Sequence, residues 1–580
     1  MDSRIDGQPI PGFPGVKVER NVCCAMRDGV NLAADVYRPA TGGPYPVLLI
    51  RIPYDKTQAE NATYSHPARY ASKGYIVVSQ DTRGRYRSEG EWYPFRHETE
   101  DGYETIEWAA RLPNSTGRVG MYGFSYGGAT QLLPARKKPP SLAAICPAMT
   151  SSQYYEGWTF NQGAFALAFA NSWALSLGTD NARRRSDAAA MAGYATAFAA
   201  ALDWDWYSPL VDNPPMKTGD TGYYFDWIAH PSYDDYWRQW SIDEDYGQID
   251  VPGLHIGGWY DTFLSGTVKN FVGLAQGAGS TMSREAQRLI IGPWFHIPWK
   301  PLVGESGDRA SAQVVDDWQL AWFDQHLKGL GSAFGAPVNV FVMGEHRWRS
   351  FTTWPPAEST ETPWFLHSDG RANSKFGDGE LSHTVPAVEP ADIFTYDPNA
   401  PVPSAGGHSC CFDFVAPMGP ADQQVREESN NVLVYTSPLL ERDLVLVGNA
   451  SLLLHAATSA VDTDWTARFC HVDAAGMSTN IQEGIVRSRY RESISQPRML
   501  ERDAIYAYEI VLGPVGIRIP AGHRLRVQVS SSDFPQWDRN LNTGGPLGTE
   551  GMMQAVVATQ VILHDQDHPS RLILPVIEQM

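Results

Sequence analysis

The segment that most constrains the fold is a short apolar run that leads into a Gly-x-Ser-x-Gly motif at residues 123–127. Small and apolar residues follow, so the local order is strand, sharp turn, helix. The two glycines leave room for a strained turn that lifts the Ser125 hydroxyl to the top of a sheet. The helix N-terminus behind the turn favours negative charge. The context predicts a nucleophile at Ser125, although five-residue matches of this kind also occur by chance.

Other segments predict a parallel sheet around this turn. Nearly continuous apolar runs, typical of strands covered on both faces, alternate with helical patterns. Strands buried on both sides in this alternation indicate an α/β fold with helices on both faces of the sheet. Apart from the serine strand, the runs lie at residues 46–52, 75–79, 142–146, 251–261 and 288–296.

Two regions depart from the alternation. Residues 151–240 contain two Ala-rich stretches, 162–176 and 183–202, that are helical by period with no strand between them, and we interpret the region as a helical cap over the active site. Beyond about residue 350, short strands separated by Gly, Pro, Asn and Asp predict an antiparallel jelly roll. A chain of 580 residues is too long for one core. The expected domains are an α/β-hydrolase domain at 1–150 and 241–350, a helical cap at 151–240 and a jelly-roll β-sandwich at 351–580.

Charge and hydropathy narrow the classes of partner. The 65 acidic and 46 basic residues give a net charge of −19, which argues against nucleic acid or an anionic membrane surface as a partner. No apolar run approaches the roughly 18 residues of a membrane-spanning helix. The sequence allows a homo-oligomer but does not determine the oligomeric state.

Cysteine usage favours the cytoplasm and no metal. Adjacent cysteines occur at Cys23-Cys24 and Cys410-Cys411, without the Cys-x-x-Cys spacing of zinc or redox sites. Six cysteines in a chain of this length make no disulfide framework, so reduced thiols are the simplest account. No signal peptide is visible, although an exported precursor with its leader removed stays open.

Three predicted strands end in residues that suit a catalytic triad. Ser125, Asp261 and His296 follow in the chain order Ser…Asp…His that is typical of α/β-hydrolases. In an open parallel sheet, reactive groups gather at the carboxyl ends of the strands. Two rivals are weaker, because His255 lies inside its strand and Asp81 precedes the serine. The order and placement predict a nucleophile, an orienting carboxylate and a base.

The oxyanion of such a reaction needs two donors. The backbone N–H of Tyr126, next after the nucleophile, supplies one by the geometry of the turn. The loop after the 46–52 strand has no His-Gly-Gly-Gly run, but it offers the phenol of Tyr54. A tyrosine at a strand end is more often structural, so the residues alone leave this second donor open.

Several longer motifs identify a family. The chain resembles the family of cocaine esterase, α-amino acid ester hydrolases, glutaryl-cephalosporin acylases and Xaa-Pro dipeptidyl-peptidases over nearly all its length. The resemblance implies a Ser125–His296–Asp261 triad, an oxyanion hole of the Tyr54 hydroxyl and the Tyr126 amide, a helical cap and a C-terminal jelly roll. It implies no metal or organic cofactor, since triad chemistry is self-contained. The matching segments are 51–56, 80–84, 88–90, 101–103, 119–128, 258–261, 292–296, 530–535, 538–540 and 542–545.

Within this family, the aromatic placement is similar to that of cocaine esterase. Two cap tryptophans, Trp158 and Trp173, and Phe263, two residues after the triad aspartate, look similar to residues that grip an aryl acyl group in that enzyme. A further wall of the pocket, near His408, is more polar here than in cocaine esterase. The identity of the acyl group therefore stays open. The jelly roll would wall the pocket on that side.

The carboxylate cluster that binds a substrate ammonium in the amino acid ester hydrolases is not evident after Asp261. Asp203, Asp205 and Asp220 are the cap residues that could replace it, although acidic cap residues are usually just solvated.

The sequence therefore predicts an enzyme acting on a small-molecule ester or amide. The leading hypothesis is a serine carboxylic-ester hydrolase that works through an acyl-enzyme on Ser125. The alternative is the same triad acting on an amide, as a β-lactam acylase or an Xaa-Pro dipeptidyl-peptidase. A less favoured class is a carbohydrate- or partner-binding protein with an inert hydrolase domain, which the complete triad argues against.

Overall fold

The structure is a computed structural model that describes residues 7–58, 64–296, 312–332 and 334–578. Its strands, in chain order, are β1 (Gln8–Ile10), β2 (Phe13–Ala25), β3 (Asn31–Pro39), β4 (Tyr45–Ile52), β5 (Ile76–Asp81), β6 (Ser115–Phe124), β7 (Leu142–Ala148), β8 (Phe160–Asn161), β9 (Ala164–Phe165), β10 (Gly253–Tyr260), β11 (Gln287–Phe295), β12 (Val338–Val342), β13 (Arg347–Phe351), β14 (Ser359–His367), β15 (Glu380–Ser382), β16 (Asp392–Tyr396), β17 (Leu433–Thr436), β18 (Leu444–Thr458), β19 (Asp464–Val472), β20 (Ser478–Arg487), β21 (Tyr506–Ile519), β22 (Arg524–Ser530), β23 (Ala558–Leu563) and β24 (Arg571–Ile577).

The α-helices, in chain order, are α1 (Pro67–Ser72), α2 (Glu98–Ala110), α3 (Tyr126–Ala135), α4 (Leu167–Arg184), α5 (Ala188–Ala199), α6 (Ala201–Asp205), α7 (Gly222–Ala229), α8 (Asp235–Arg238), α9 (Leu264–Gly277), α10 (Thr281–Glu285), α11 (Ala312–Lys328) and α12 (Gln424–Glu427). Within the described ranges, none of these helices has the length and apolarity that a membrane crossing requires.

The first sheet has the parallel centre that the apolar runs predict. Its strand order is β1-β2-β3-β5-β4-β6-β7-β10-β11-β12-β13. The strands from β5 to β12 in this order pair in parallel, and the flanking pairs are antiparallel. Successive side chains of β4 lie on opposite faces of the sheet. Leu49 packs with α2 and α3, whereas Leu48 packs with α1 and α11. Helices therefore cover both faces, which is the α/β-hydrolase architecture.

The helical insertion between β7 and β10 differs from expectation at its start. The predicted helix over 162–176 is wrong at its N-terminal end, because β8 and β9 form a hairpin there and α4 begins only at Leu167. Gln162 and Gly163 both have positive φ angles, 40° and 86°, which a helix does not allow. A Cβ on Gly163 would lie 2.1 Å from the ring of Tyr490, so the turn also depends on contact with the C-terminal domain.

The C-terminal domain is β-rich and largely antiparallel. Its described strands join in the order β16-β23-β18-β24-β14-β15-β17-β22-β19-β20, and β21 pairs with β18. Its core includes Trp259 and Tyr260 at the end of β10, so the two domains share apolar packing next to a strand end. At Gly516 a Cβ would come within 2.0 Å of the Trp259 indole, which explains why this strand position is a glycine.

Candidate active site

Ser125 lies in the strained turn between β6 and α3. Its φ and ψ angles are 58° and −125°, a conformation that costs about 1–3 kcal/mol in a non-glycine residue. Close packing holds the turn in place: a Cβ on Gly123 would lie 3.0 Å from the Gly127 carbonyl oxygen, and one on Gly128 would lie 2.6 Å from Thr150. The Ser125 amide donates to the Ala148 carbonyl at 2.9 Å. The side chain is therefore presented at the carboxyl end of the sheet.

Asp261 and His296 are the residues that directly follow β10 and β11, which are neighbouring strands. The Nδ1 atom of His296 lies 2.7 Å from Oδ1 of Asp261, and both side chains are buried. Among the described residues, no group hydrogen-bonds to His296 Nε2. If Nδ1–H donates to the carboxylate, Nε2 carries a lone pair that can accept a proton.

Tyr54 follows β4, the strand next to β6, by two residues. Burial raises the pKa of its phenol to about 12, and hydrogen bonds from Trp173 and Ser125 only partly offset this effect. The indole Nε1–H of Trp173 donates to the phenol oxygen at 3.0 Å. Because that oxygen already accepts a hydrogen bond, the phenol proton is free to point at another acceptor in the site.

The aromatic residues that the sequence singled out form one contiguous cluster with His296. Phe263 contacts the His296 ring edge-on at 5.1 Å and stacks on Trp158 at 4.3 Å, with the planes only 10° apart. Trp173 contacts Trp158 edge-on at 6.2 Å. Two rings stacked at 4.3 Å leave no gap for a third ring between them. An aryl group would therefore lie beside the stack or separate it.

His408 lies next to the triad with both ring nitrogens already engaged. Its Nδ1 is 3.0 Å from Glu483 Oε1, and its Nε2 is 2.7 Å from the Trp259 carbonyl oxygen. Burial alone lowers the pKa of His408, but the Glu483 carboxylate outweighs this effect and raises it. Conversely, burial alone raises the pKa of Glu483, whereas His408 and Arg468 lower it to about 2. Through the contact of His408 with the Trp259 carbonyl, the pair connects the C-terminal domain to the end of β10, directly before Asp261.

Glu483→Gln is expected to destabilise the protein by about 3 kcal/mol near pH 5.5, because breaking a buried ion pair leaves the remaining charge uncompensated. Glu483, with its lowered pKa, contributes stability above its unfolded value of about 4.3. His408, with its raised pKa, contributes below its unfolded value of about 6.5 and loses this contribution as pH rises through its folded pKa. The Tm difference between variant and wild type should therefore be largest at pH 5–6 and shrink by pH 9. An equal difference at both pH values would show that the pair does not act as an ion pair.

The three cap aspartates do not supply a negative cluster for a substrate ammonium. Asp203 is exposed, and Asp220 is paired with Arg185. Asp205 is buried on α6 and accepts a hydrogen bond from the Asn171 amide at 2.7 Å, while its Oδ2 has no partner among the described residues. Burial raises the pKa of Asp205 to about 8, which favours the neutral form of this carboxyl group at pH 7.

Asp205→Asn is expected to stabilise the protein at pH 7, by roughly 2–4 kcal/mol. The unfolded carboxyl loses its proton near pH 4, whereas the native one keeps it up to about pH 8. The stability of the wild type therefore falls as pH rises across this interval, and the asparagine removes that loss. Thermal unfolding at pH 4.5 and pH 7.5 measures the difference in Tm between Asp205→Asn and the wild type. The exposed Asp203→Asn serves as a control. A lower Tm for Asp205→Asn at pH 7.5 would show that Asp205 is ionised in the native protein.

The adjacent cysteines 410 and 411 differ from expectation. The structure joins Cys410 and Cys411 in a disulfide, whereas the sequence predicted reduced thiols. Cys23, Cys24, Cys146 and Cys470 are free. One ring nitrogen of His296 and both Sγ atoms lie within 4.8 Å of one another, so the pair lies beside the triad.

Comparison with known proteins shows the family of the chain. Residues 28–298 match the model of the X-Pro dipeptidyl-peptidase (S15 family), and residues 335–573 match the X-Pro dipeptidyl-peptidase C-terminal non-catalytic domain. The chain is 36% identical to cocaine esterase of Rhodococcus sp. (strain MB1 Bresler), over 97% of this chain and 99% of that one. It belongs to the S15 family of serine hydrolases. A putative serine esterase of Mycobacterium bovis is 24% identical, with 98% of this chain and 97% of the relative covered.

Two solved structures share the whole architecture of this S15 member. An aminopeptidase from a marine sediment archaeon (Thaumarchaeota archaeon) superposes with a TM-score of 0.81 and 25% identity, covering 100% of this chain and 99% of that one. An α-amino acid ester hydrolase superposes with a TM-score of 0.80 and 24% identity, covering 99% of each chain. At 24% identity, the likeness to the α-amino acid ester hydrolase shows a shared fold only.

Sequence reasoning missed three features of the site. Nothing in the local pattern of residues 478–487 indicated that Glu483 would meet His408, because the two lie on separate segments of the C-terminal domain. The donation from Trp173 to Tyr54 was also missed, since it joins a cap helix to a loop more than a hundred residues earlier. The adjacent spacing of Cys410 and Cys411 was the one available signal for their pairing.

Proposed function

We propose that this S15-family hydrolase cleaves carboxylic esters with an aromatic or apolar acyl group, through an acyl-enzyme on Ser125. The proposal rests on the positions of Ser125, Asp261 and His296 directly after β6, β10 and β11 of one sheet, and on the contact of Asp261 with His296 Nδ1 at 2.7 Å. The 36% identity to cocaine esterase over nearly the whole chain supports an ester as substrate.

In the proposed reaction, His296 Nε2 takes the proton of Ser125 as the hydroxyl attacks the ester carbonyl. The Tyr126 amide and the Tyr54 hydroxyl donate to the oxyanion. His296 then gives its proton to the leaving alcohol, and an acyl-enzyme remains on Ser125. A water molecule, activated by the same imidazole, hydrolyses the acyl-enzyme. Asp261 holds the imidazole tautomer and stabilises the charge that forms on it.

The surroundings of the triad support an apolar acyl group. Trp158, Trp173 and Phe263 are all buried around the site, and we propose that they contact the acyl group. We assign His408 to a further wall of the pocket, which the C-terminal domain supplies. A small cavity of about 20 Å³ joins Phe169, Thr262, His408 and Cys410, which is about the room that one water molecule needs. A larger cavity of about 360 Å³ borders the other side of His408 and includes Asp261 and Thr262, so this wall separates a small space from a larger one.

The proposal also covers the domains, the compartment and the oligomeric state. We propose that the domains are 1–150 with 241–350, the cap at 151–240 and a jelly roll at 351–580, and that the protein works in the cytoplasm as a monomer or a homo-oligomer. The strand order of the second sheet supports the jelly roll. The four free cysteines support a reducing compartment, whereas the Cys410–Cys411 disulfide is evidence against one.

The test is a substrate panel on the purified protein. We expect aryl esters to be hydrolysed with a kcat/KM at least about 100-fold above that for Xaa-Pro anilides or acylated cephalosporins. Asp203, Asp205 and Asp220 do not form an anionic cluster for a substrate ammonium, and ester leaving groups need less protonation. Ser125→Ala serves as the control for background hydrolysis. Comparable or faster cleavage of an amide substrate would contradict the ester assignment and favour the acylase or peptidase alternative, which the aminopeptidase likeness supports.

A further inference from the structure

The Cys410–Cys411 disulfide lies beside His296, the base of the proposed reaction. Both Sγ atoms and a ring nitrogen of His296 lie within 4.8 Å of one another. His296 Nδ1 is already bonded to Asp261, and Nε2 has no partner among the described residues. Cys410 is buried, whereas Cys411 is half-buried, so a small reductant has access to one of the two sulfur atoms.

We propose that reduction of this disulfide creates a metal site, formed by the two thiolates and His296 Nε2, for a soft divalent cation such as Zn²⁺. Two sulfur ligands and one imidazole, with a water molecule in the fourth position, are a donor set that Zn²⁺ prefers. Zinc–sulfur and zinc–nitrogen bonds of about 2.3 Å and 2.0 Å place tetrahedral ligands less than about 4 Å apart. His296 and the two cysteines already lie within 4.8 Å of one another, so after reduction the site forms when the two Sγ atoms separate from bonding distance to just under about 4 Å.

Occupancy of this site would block catalysis. The proton acceptor of the proposed reaction is the Nε2 lone pair of His296, and the metal would use the same lone pair. This part of the inference rests on the proposed function, in which His296 is the base. The metal binding itself does not rest on it, since it needs only the three donor atoms in their places.

The disulfide state and the reduced state differ in the ligands they offer. With a phosphine as reductant, one disulfide and one water molecule become two thiols, and the phosphine becomes its oxide. One Zn²⁺ then displaces two thiol protons, so binding releases two protons in all if the imidazole is neutral. The sulfur atoms of a disulfide carry no thiolate and do not provide this ligation. The redox state of Cys410 and Cys411 therefore determines whether Zn²⁺ binds to His296 Nε2.

Metal binding is tested directly by titrating Co²⁺ or Zn²⁺ into the full-length protein in a Cys23→Ser background, which removes the exposed free cysteine. After reduction with a phosphine that is then removed, we expect one metal per chain, a thiolate-to-cobalt absorption band and a release of two protons. Oxidised protein and Cys411→Ser should bind at least about tenfold more weakly, because a ligand is lost. Equal binding by the reduced protein, the oxidised protein and Cys411→Ser would overturn the site.

The role of His296 is tested by a second variant and by activity. His296→Ala should also bind the metal at least about tenfold more weakly, in a measurement that needs no turnover. Zn²⁺ should inhibit ester hydrolysis by the reduced protein at the concentration at which it binds, with reversal by a chelator, while Cys410→Ser and Cys411→Ser resist inhibition relative to their own zinc-free rates. Tight binding without inhibition would contradict His296 as the base while leaving the metal site intact. Inhibition that is equal in the cysteine variants would overturn the metal site as its cause.

Discussion

Asp261→Asn is expected to lower kcat for an aryl ester about 10⁴-fold, with little change in KM. The carboxylate accepts a hydrogen bond from His296 Nδ1 at 2.7 Å. An asparagine amide that donates to Nδ1 instead would place the imidazole proton on Nε2, and the base would then have no lone pair for the serine proton. The measurement is steady-state kinetics, with a near-ultraviolet circular dichroism spectrum to show that the fold is kept.

Asp369→Asn is the matched control, because Asp369 is an exposed aspartate of the C-terminal domain. It should leave both kinetic constants unchanged. A loss of less than about tenfold in Asp261→Asn would mean that another carboxylate orients His296. Asp81 was the other candidate for the orienting carboxylate. It accepts a hydrogen bond from the backbone N–H of Lys56 at 2.6 Å and lies near the Lys56 ammonium group.

Tyr54→Phe is expected to lower kcat about 10²–10³-fold, the usual loss when one oxyanion donor is removed. The phenol keeps its proton at neutral pH, because burial raises its pKa to about 12. Its oxygen accepts from Trp173 Nε1, which directs the proton elsewhere in the site. Trp173→Phe should give a smaller loss, since the donor remains but its orientation is no longer fixed. Stopped-flow measurement of acylation separates the two effects from later steps.

Tyr45→Phe is the control for the loss of a phenol, since the Tyr45 hydroxyl donates to the Thr41 carbonyl in an exposed turn. It should leave kcat unchanged. A Tyr54→Phe enzyme with near wild-type kcat would remove Tyr54 from the mechanism. Equal losses in Tyr54→Phe and Trp173→Phe would instead indicate that the hydrogen bond between them matters as a unit.

The residues after the strand ends were predictable because of the sheet itself. In parallel strands the carboxyl ends lie at one edge of the sheet, so Ser125, Asp261 and His296 lie at the same edge once three apolar runs are recognised as strands. The covered strands also predicted helices on both faces, which the two cores flanking the sheet confirm. The elbow at Ser125 was predictable for a steric reason, since only glycine allows the close approach at position 123.

Features that depend on distant contacts were not predictable. The hairpin at 160–165 forms in a stretch with helical periodicity because its turn packs on Tyr490. The stacking of Trp158 on Phe263 joins the cap to the hydrolase domain, and the placement of His408 depends on Glu483 and the Trp259 carbonyl. Local sequence patterns carry no information about such contacts. They nevertheless determine the shape of the wall that meets the acyl group.

The central claim is that Ser125 carries the acyl group during turnover. The most direct test mixes the enzyme rapidly with an activated aryl ester, quenches with acid and measures the intact and peptide masses. We predict one acyl adduct per chain, located on the peptide that contains Ser125, formed at a rate at least equal to kcat and absent from Ser125→Ala. Turnover by Ser125→Ala near the wild-type rate, or a kinetically competent adduct on another residue, would contradict the account.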